Sequence, residues 1–391
     1  MIAWLQTIGI PTDEAETSIT TCPGNIFFLQ DDFIRKHWFL AELPPEKLEP
    51  TLAFAAEIRR DGKFRLLAWH LHRYCMFIPL SRFKGEEMPD LIPGLGIKSG
   101  MLYLLVALSL IPAYLSRAER EGFPVRYGEA GAKRIGSVLC FYAQLYDGAF
   151  GIRARNLAFQ LHYLGTATWR IGRFDFQIRR TDGTFPVILR REGELLAFCP
   201  DGTPLTAAGD RAAKESVPAR TATLQTDGTR LTGIPIDLHT GLAQSEPRTV
   251  DRNAGWEILA GPGDWTLYFH IPGGGGMTPE RCRDSFREAR EFFRQYAPDK
   301  DFRVIWSSSW IFNPVWRELL PGSNMAALID RGKLFPTAAH TPNPGMYFVF
   351  GRHEGDPAEF PARNSVEKAV LRAYREHRLR ACGFFLPTDQ V

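Results

Sequence analysis

The six cysteines, Cys22, Cys75, Cys140, Cys199, Cys282 and Cys382, lie far apart in 391 residues, and none belongs to a Cys-x-x-Cys pair. Neither a zinc ribbon nor a disulfide framework is therefore expected, and a reducing cytoplasm suits the chain best. A one-signed charge is missing too. Lys and Arg number 47 against 44 Asp and Glu, a net +3, and no basic stripe alternates with aromatics. Nucleic acid is thus not an expected partner. There is no basic stretch ahead of Asp13, Glu14 and Glu16, so no signal peptide is read. Gly-x-Ser-x-Gly does not occur, which excludes a nucleophile elbow of the hydrolase type. The uncharged apolar run from Met101 to Leu115 contains Pro112. It is shorter than the ~20 residues of a spanning helix, so a buried helix is expected there and no membrane insertion. His70 and His72 alternate around Leu71 in a segment read as helix. With no third ligand suitably spaced, no metal site is expected.

What remains is an ordinary globular composition, 45% hydrophobic and 23% charged, in a chain long enough for two domains. Residues 1–150 read as mostly helical. Glu46 to Arg60 carries Leu48, Leu52, Ala55 and Ala56 at helical spacing, and further helices are read over Trp69 to Ile78, around Met101 and over Lys133 to Tyr146. From 151 to 391 the texture turns to strands with helices between them. Strands are read over Trp169 to Arg179, Val187 to Arg190 and Leu195 to Phe198, with turns at Asp182-Gly183 and Glu192-Gly193. Residues 200–253 read as long loops and short strands. A late helix, Ser365 to Arg378, and a final strand, Gly383 to Leu386, complete the pattern.

The most informative stretch runs from Trp265 to Glu280: a strand, four glycines (Gly273 to Gly276), then a helix opened by Thr278 as N-cap and Pro279 at its first position. Unpaired N–H groups at a helix N-terminus, approached over glycines, make an anion seat. The helix carries Cys282, Phe286, Ala289, Phe293 and Tyr296 as one apolar stripe, and a strand follows from Phe302 to Phe312. The unit is the crossover of two parallel neighbours. A Walker loop needs Gly-Lys-Ser/Thr, and Met277 stands there instead. A dinucleotide loop needs a third glycine where Thr278 sits, and an acid where Ser307, Ser308 and Ser309 stand. A coenzyme-A-type pyrophosphate seat needs only glycines, donors and the helix end. Main-chain donors from Ile271 through Gly273, Gly274, Gly275, Gly276 and Met277 to Thr278 would form it. A plain mobile glycine loop stands open beside that reading.

Several segments together resemble a known family: Gly233-Ile-Pro-Ile236, Gly263-Asp264, Phe269-His-Ile-Pro272 with its glycines, and Met277-Thr-Pro-Glu280. Ser309-Trp310 with Asn313-Pro314, Leu319-Leu-Pro-Gly-Ser-Asn324, Asn364-Ser365 and Gly383-Phe-Phe-Leu386 extend the likeness. The family is that of the bacterial two-domain GNAT-like acyltransferases, with a helical N-acyltransferase domain before a GNAT-type domain. The run from Tyr103 through Gly122-Phe-Pro124 to Gly151-Ile152 is similar to its helical part. The resemblance implies a twisted mixed sheet flanked by helices, with acyl-CoA wedged where two parallel central strands splay apart. The chain departs from the usual Gln/Arg-x-x-Gly-x-Gly/Ala loop by its bare glycine run.

On that resemblance, acyl-CoA, or an acyl carrier, is the expected donor and an amine the expected acceptor. His270, at the carboxyl end of the strand before the glycines, is the candidate general base. Ser309, on one face of its strand with Ser307, is the candidate proton donor or thiolate partner. Trp306 and Trp310 are read as core or acyl-channel residues, and Ser323 and Asn324 as helix or turn caps. A half-buried structural histidine and plain strand-end hydroxyls account for His270 and Ser309 as well. A binding module without chemistry, or a partner-binding protein with a glycine hinge, also fits these residues.

Overall fold

A computed structural model describes residues 1–165, 168–213, 216–339 and 341–391. The chain divides into two compact units, Met1–Ile171 with Pro272–Gly274, and Gly172–Ile271 with Gly275–Val391.

The first unit is helical, with a strand, β1 (Thr168–Ile171), at its end. Helix α1 (Leu48–Arg60) buries Leu48, Leu52, Ala55 and Ile58, the three-and-four spacing that turns one stripe inward. Asp61 then caps α2 (Gly62–Phe77), accepting from the Lys63 and Phe64 N–H groups. The apolar run becomes two helices, α3 (Ser99–Ser109) and α4 (Ile111–Arg120). Pro112 falls in the first turn of α4, where its missing N–H costs no hydrogen bond. Ser99–Arg120 is long and apolar enough to cross a membrane, yet the side chains of Leu102 to Leu108 are fully buried within the unit. Lys133 to Tyr146, read as one helix, is a 3-10 turn over Gly136–Val138 followed by a helix over Leu139–Leu145.

The two histidines of α2 are structural. His70 Nε2–H donates to the Pro11 carbonyl at 2.8 Å, and its Nδ1 faces Ser18 Oγ at 3.0 Å. His72 Nδ1 lies 2.7 Å from Ser109 Oγ, which itself donates to the Val106 carbonyl. Burial and the neighbouring Arg73 push the His72 imidazole down to about 4, so it is neutral at pH 7.

The strand read over Trp169 to Arg179 is broken at Gly172, whose φ of 57° ends β1 and starts β2 (Phe174–Arg180). A Cβ there would lie 3.1 Å from that of Ser285, so only glycine fits the turn. β3 (Val187–Arg191), β4 (Glu194–Phe198) and β5 (Glu257–Ala260) form a small antiparallel sheet in the order β5-β3-β4. Between β4 and β5 the described residues make short two- and three-stranded ribbons. The main sheet of this unit places β6 (Trp265–His270), β7 (Val304–Ser309), β8 (Lys333–Pro336) and β9 (Cys382–Pro387) with β2 in the order β2-β6-β7-β9-β8. Only β6 and β7 are parallel, and α5 (Pro279–Tyr296) is their crossover. The expected strand over Phe302 to Phe312 is shorter because Trp310–Phe312 turn into a 3-10 helix. Helices α6 (Asn324–Arg331) and α7 (Ser365–Arg375) complete the unit.

Alternation sorts the sheet into two faces. Phe174, Phe176 and Phe269 pack against Phe286 of α5, with ring centroids 5.1 to 6.2 Å apart. On the opposite face, Trp306, Phe335 and Phe385 join Phe185, Ile188 and Ala197 in a second core beneath the small sheet. Burial of such side chains stabilises the fold by roughly 1.5–3 kcal/mol each.

Candidate active site

The turn after β6 is held open by its backbone. Gly274, Gly275 and Gly276 have φ of 75°, 73° and 64°, a left-handed run that residues with a Cβ rarely follow. All four glycines are exposed. Among the described residues, none of the N–H groups from Gly273 to Met277 donates a hydrogen bond to the protein. They are available to a ligand, beside an 18-residue helix whose dipole adds partial positive charge.

The helix start is as expected: Thr278 is the N-cap, its hydroxyl accepting from Arg281 N–H at 3.4 Å, and Pro279 follows. Glu280 is the one acid of the first turn, and hydrogen bonds from its own N–H and the Thr278 hydroxyl hold its carboxyl below the ordinary range. Arg281 leans back over the turn, so that a Cβ on Gly275 would lie 3.4 Å from its Nη2.

A buried arginine braces the turn from below. Arg173 Nε donates to the Gly276 carbonyl at 2.6 Å, while Ser285 Oγ accepts from the Arg173 and Phe174 N–H groups at 3.1 and 3.3 Å. One hydroxyl of α5 thus ties the start of β2 to the helix, and the Arg173 side chain ties it to the glycines. Sequence reading missed both residues. Arg173 lies about a hundred positions from its partner, and a serine within an apolar stripe carries no signal of its own.

The parallel strands part just before this turn. β6 and β7 are in register at Leu267 with Ile305 and at Tyr268 with Trp306, and no further pair forms although the strands run on to His270 and Ser309. The facing edges beyond Tyr268 and Trp306 are consequently not satisfied by each other. An extended ligand with its own amides can occupy such an opening.

The two candidate catalytic side chains border this opening from opposite faces of the sheet. His270 is half-buried, its ring 4.8 Å from that of Tyr268, and it shares a face with Tyr268 and Trp306. Ser309 lies with Ser307 on the face that carries Phe384. Its Oγ accepts from Ile311 N–H at 3.2 Å, which caps the 3-10 turn and leaves the hydroxyl hydrogen free to donate. Ser308, on the His270 face, is 3.3 Å from Thr337 Oγ1. Trp306 Nε1 donates to Thr266 Oγ1 at 2.8 Å, and Arg179 stacks over both Tyr268 and Trp306.

Cys282 lies in the first turn of α5, within range of the Arg173, Arg281 and Arg331 charges. Burial nonetheless pushes its thiol up to about 11. A thiol protonated at neutral pH is a poor nucleophile, so the site is not arranged for an acyl-cysteine there. Among the described residues no group of three His, Cys, Asp or Glu side chains gathers as metal ligands would. A cavity of about 420 Å³ lined by Arg190, Arg294, Lys300 and Asp389 opens beyond the C-terminal end of α5, the end away from the glycine turn.

Residues 168–383 match the model of a family described as GNAT-like C-terminal domain. No curated protein matches significantly. Among solved structures, the chain is similar to an acyltransferase in complex with decanoyl-CoA and teicoplanin, with a TM-score of 0.63 and 19% identity, covering 99% of this chain and 98% of that one. An acyltransferase in complex with CoA and 10C-teicoplanin gives the same figures. A third, in complex with decanoyl-CoA, has a TM-score of 0.59 at 16% identity over 98% of both chains. At these identities the likeness establishes a shared fold over both units.

Proposed function

This chain belongs to the family with a GNAT-like C-terminal domain, and from that premise we propose that it moves an acyl group from acyl-CoA to an amine. The observation that carries the reading is the opening of β6 from β7 directly ahead of a glycine turn and a long helix N-terminus. The pyrophosphate of the coenzyme sits on the N–H groups of the turn, with Arg281 beside it. The pantetheine arm lies between the strands and pairs its amides with their open edges. Of the similar solved acyltransferases, the two in complex with decanoyl-CoA support an acyl-CoA donor, and the one that also holds teicoplanin supports a small-molecule acceptor.

In this reading the thioester rests at the ends of β6 and β7. A neutral amine attacks its carbonyl, the C–N bond forms, and His270 takes the amine proton directly or through one water. A main-chain N–H on the opened edge stabilises the tetrahedral oxyanion. The C–S bond then breaks, and the Ser309 hydroxyl, polarised by the hydrogen bond it accepts from Ile311, passes a proton to the departing thiolate as solvent replaces that proton on Ser309, while His270 returns the amine proton to solvent. Base and acid approach the thioester from opposite faces of the sheet.

The test is release of free CoA thiol from acetyl-, octanoyl- and decanoyl-CoA against a panel of amines. Release should require both an acyl donor and an amine. His270→Ala should lower kcat by about 10²- to 10⁴-fold with little change in CoA affinity. Only a neutral imidazole accepts a proton, so wild-type activity should rise as pH increases through the histidine range, and the variant should lose that limb. An unchanged pH profile in the variant excludes the base role. CoA binding with no thiol release from any pair would leave a binding module without chemistry.

A further inference from the structure

Arg331 ends α6, a helix fixed at its other end by Ser323, whose Oγ accepts from Ala326 N–H at 3.2 Å. Helix α6 packs against α5. Its guanidinium is half-buried, with Nε sealed from solvent and without a hydrogen-bond partner among the described residues. No carboxylate there comes within ion-pair distance of it. The adjacent Asp330 is committed to Arg317 at 2.6 Å, and Asp284 to Arg287 at 3.0 Å, reaching Arg283 only at 4.0 Å. The groups whose charge reaches Arg331 are Arg283, a like charge, and Cys282. Burial, then Arg283, lowers its pKa, as befits a cation that no carboxylate among the described residues answers.

Two arginines whose charges reach each other, one with no ion pair among the described residues and the other paired only at 4.0 Å, mark a place for an external anion. The place is on the flank of the first turn of α5. Arg281 leans over Gly275, whereas Arg283, two residues on, is turned about 200° round the helix, and its charge reaches Arg331. A diphosphate seated at the glycines would therefore leave this pair unused. We propose that Arg331 and Arg283 form a second phosphate subsite, which binds the 3′-phosphomonoester of the coenzyme and distinguishes CoA from its dephospho form. The assignment rests on the acyl-CoA reading above and adds to it a second point of recognition, with a charge distinct from the pyrophosphate.

The experiment is calorimetry of the full chain titrated with CoA and with 3′-dephospho-CoA at one ionic strength. The unaltered protein should bind CoA about ten- to a hundredfold more tightly, the scale of a charge-assisted contact to phosphate. Arg331→Ala should remove most of that ratio while leaving dephospho-CoA affinity in place, which also reports that the turn remains folded. Arg331→Lys should keep part of the ratio, since a point charge replaces the planar fork. Equal affinities in the unaltered protein overturn the subsite and leave the acyl-CoA reading standing. So does a ratio that survives both Arg331→Ala and Arg283→Ala. If neither CoA nor 3′-dephospho-CoA binds, both readings are overturned.

Discussion

At the scale of single residues, the glycine turn is where chemistry and backbone geometry are hardest to separate. Gly275 has a φ of 73°, and a Cβ on it would touch the Arg281 guanidinium at 3.4 Å. Gly275→Ala imposes a left-handed strain of about 1–2 kcal/mol on the turn that presents its N–H groups to the proposed pyrophosphate. Its KM for acyl-CoA should rise about tenfold while the melting temperature changes little, because the turn is exposed and packs no core. Steady-state kinetics with the donor varied would check it; an unchanged KM would detach the turn from the donor. Gly273 is constrained differently. A Cβ on it would lie 2.9 Å from the Ser137 carbonyl oxygen, so its role is steric clearance rather than unusual φ.

At the scale of elements, α2 makes the first unit sensitive to acid. His72 is held neutral, down to about 4 when folded against about 6.5 when unfolded. The unfolded chain therefore binds the extra proton first, and stability is complete above pH 6.5 and lost as pH falls toward 4. The span amounts to about 3 kcal/mol. Urea midpoints should drop between pH 7 and 5 in the wild type and by less in His72→Asn. Equal slopes would remove His72 from the account. The elements themselves are largely legible in the sequence. The stripe of α5, its Thr278-Pro279 start and the parallel crossover all follow from local periodicity and capping. Which strand faces meet is not legible. With Ser307, Ser308 and Ser309 in sequence, a register slip of one residue exchanges the faces, and register depends on β9 and β6, whose pairing no local pattern fixes. Hence the sequence pairs Ser309 with His270 as site residues without revealing that they lie on opposite faces of the sheet. The Arg173 brace and the stranded Arg331 are hidden for the same reason, since both are defined by partners distant in the chain.

At the scale of the molecule, an anionic donor and a nearly neutral chain make local arrangement, rather than net charge, the source of affinity. The +3 balance attracts weakly over distance, while arginines converge on the start of α5. A ligand bound only by the folded state stabilises it by about 2.7 kcal/mol at a hundred times its Kd. Saturating CoA should therefore raise the unfolding midpoint on the order of 5 °C, and added salt should reduce the gain. A thermal scan with no displacement by CoA would argue for a protein that uses its turn as a hinge. Trp306 offers a more direct gauge. It meets Tyr268 edge to face at the last pair before β6 and β7 diverge, and its indole is pinned to Thr266. The ring marks the closed end of the fork, so the protein carries its own optical probe, and a change in its emission would report a chain of atoms entering there without a label.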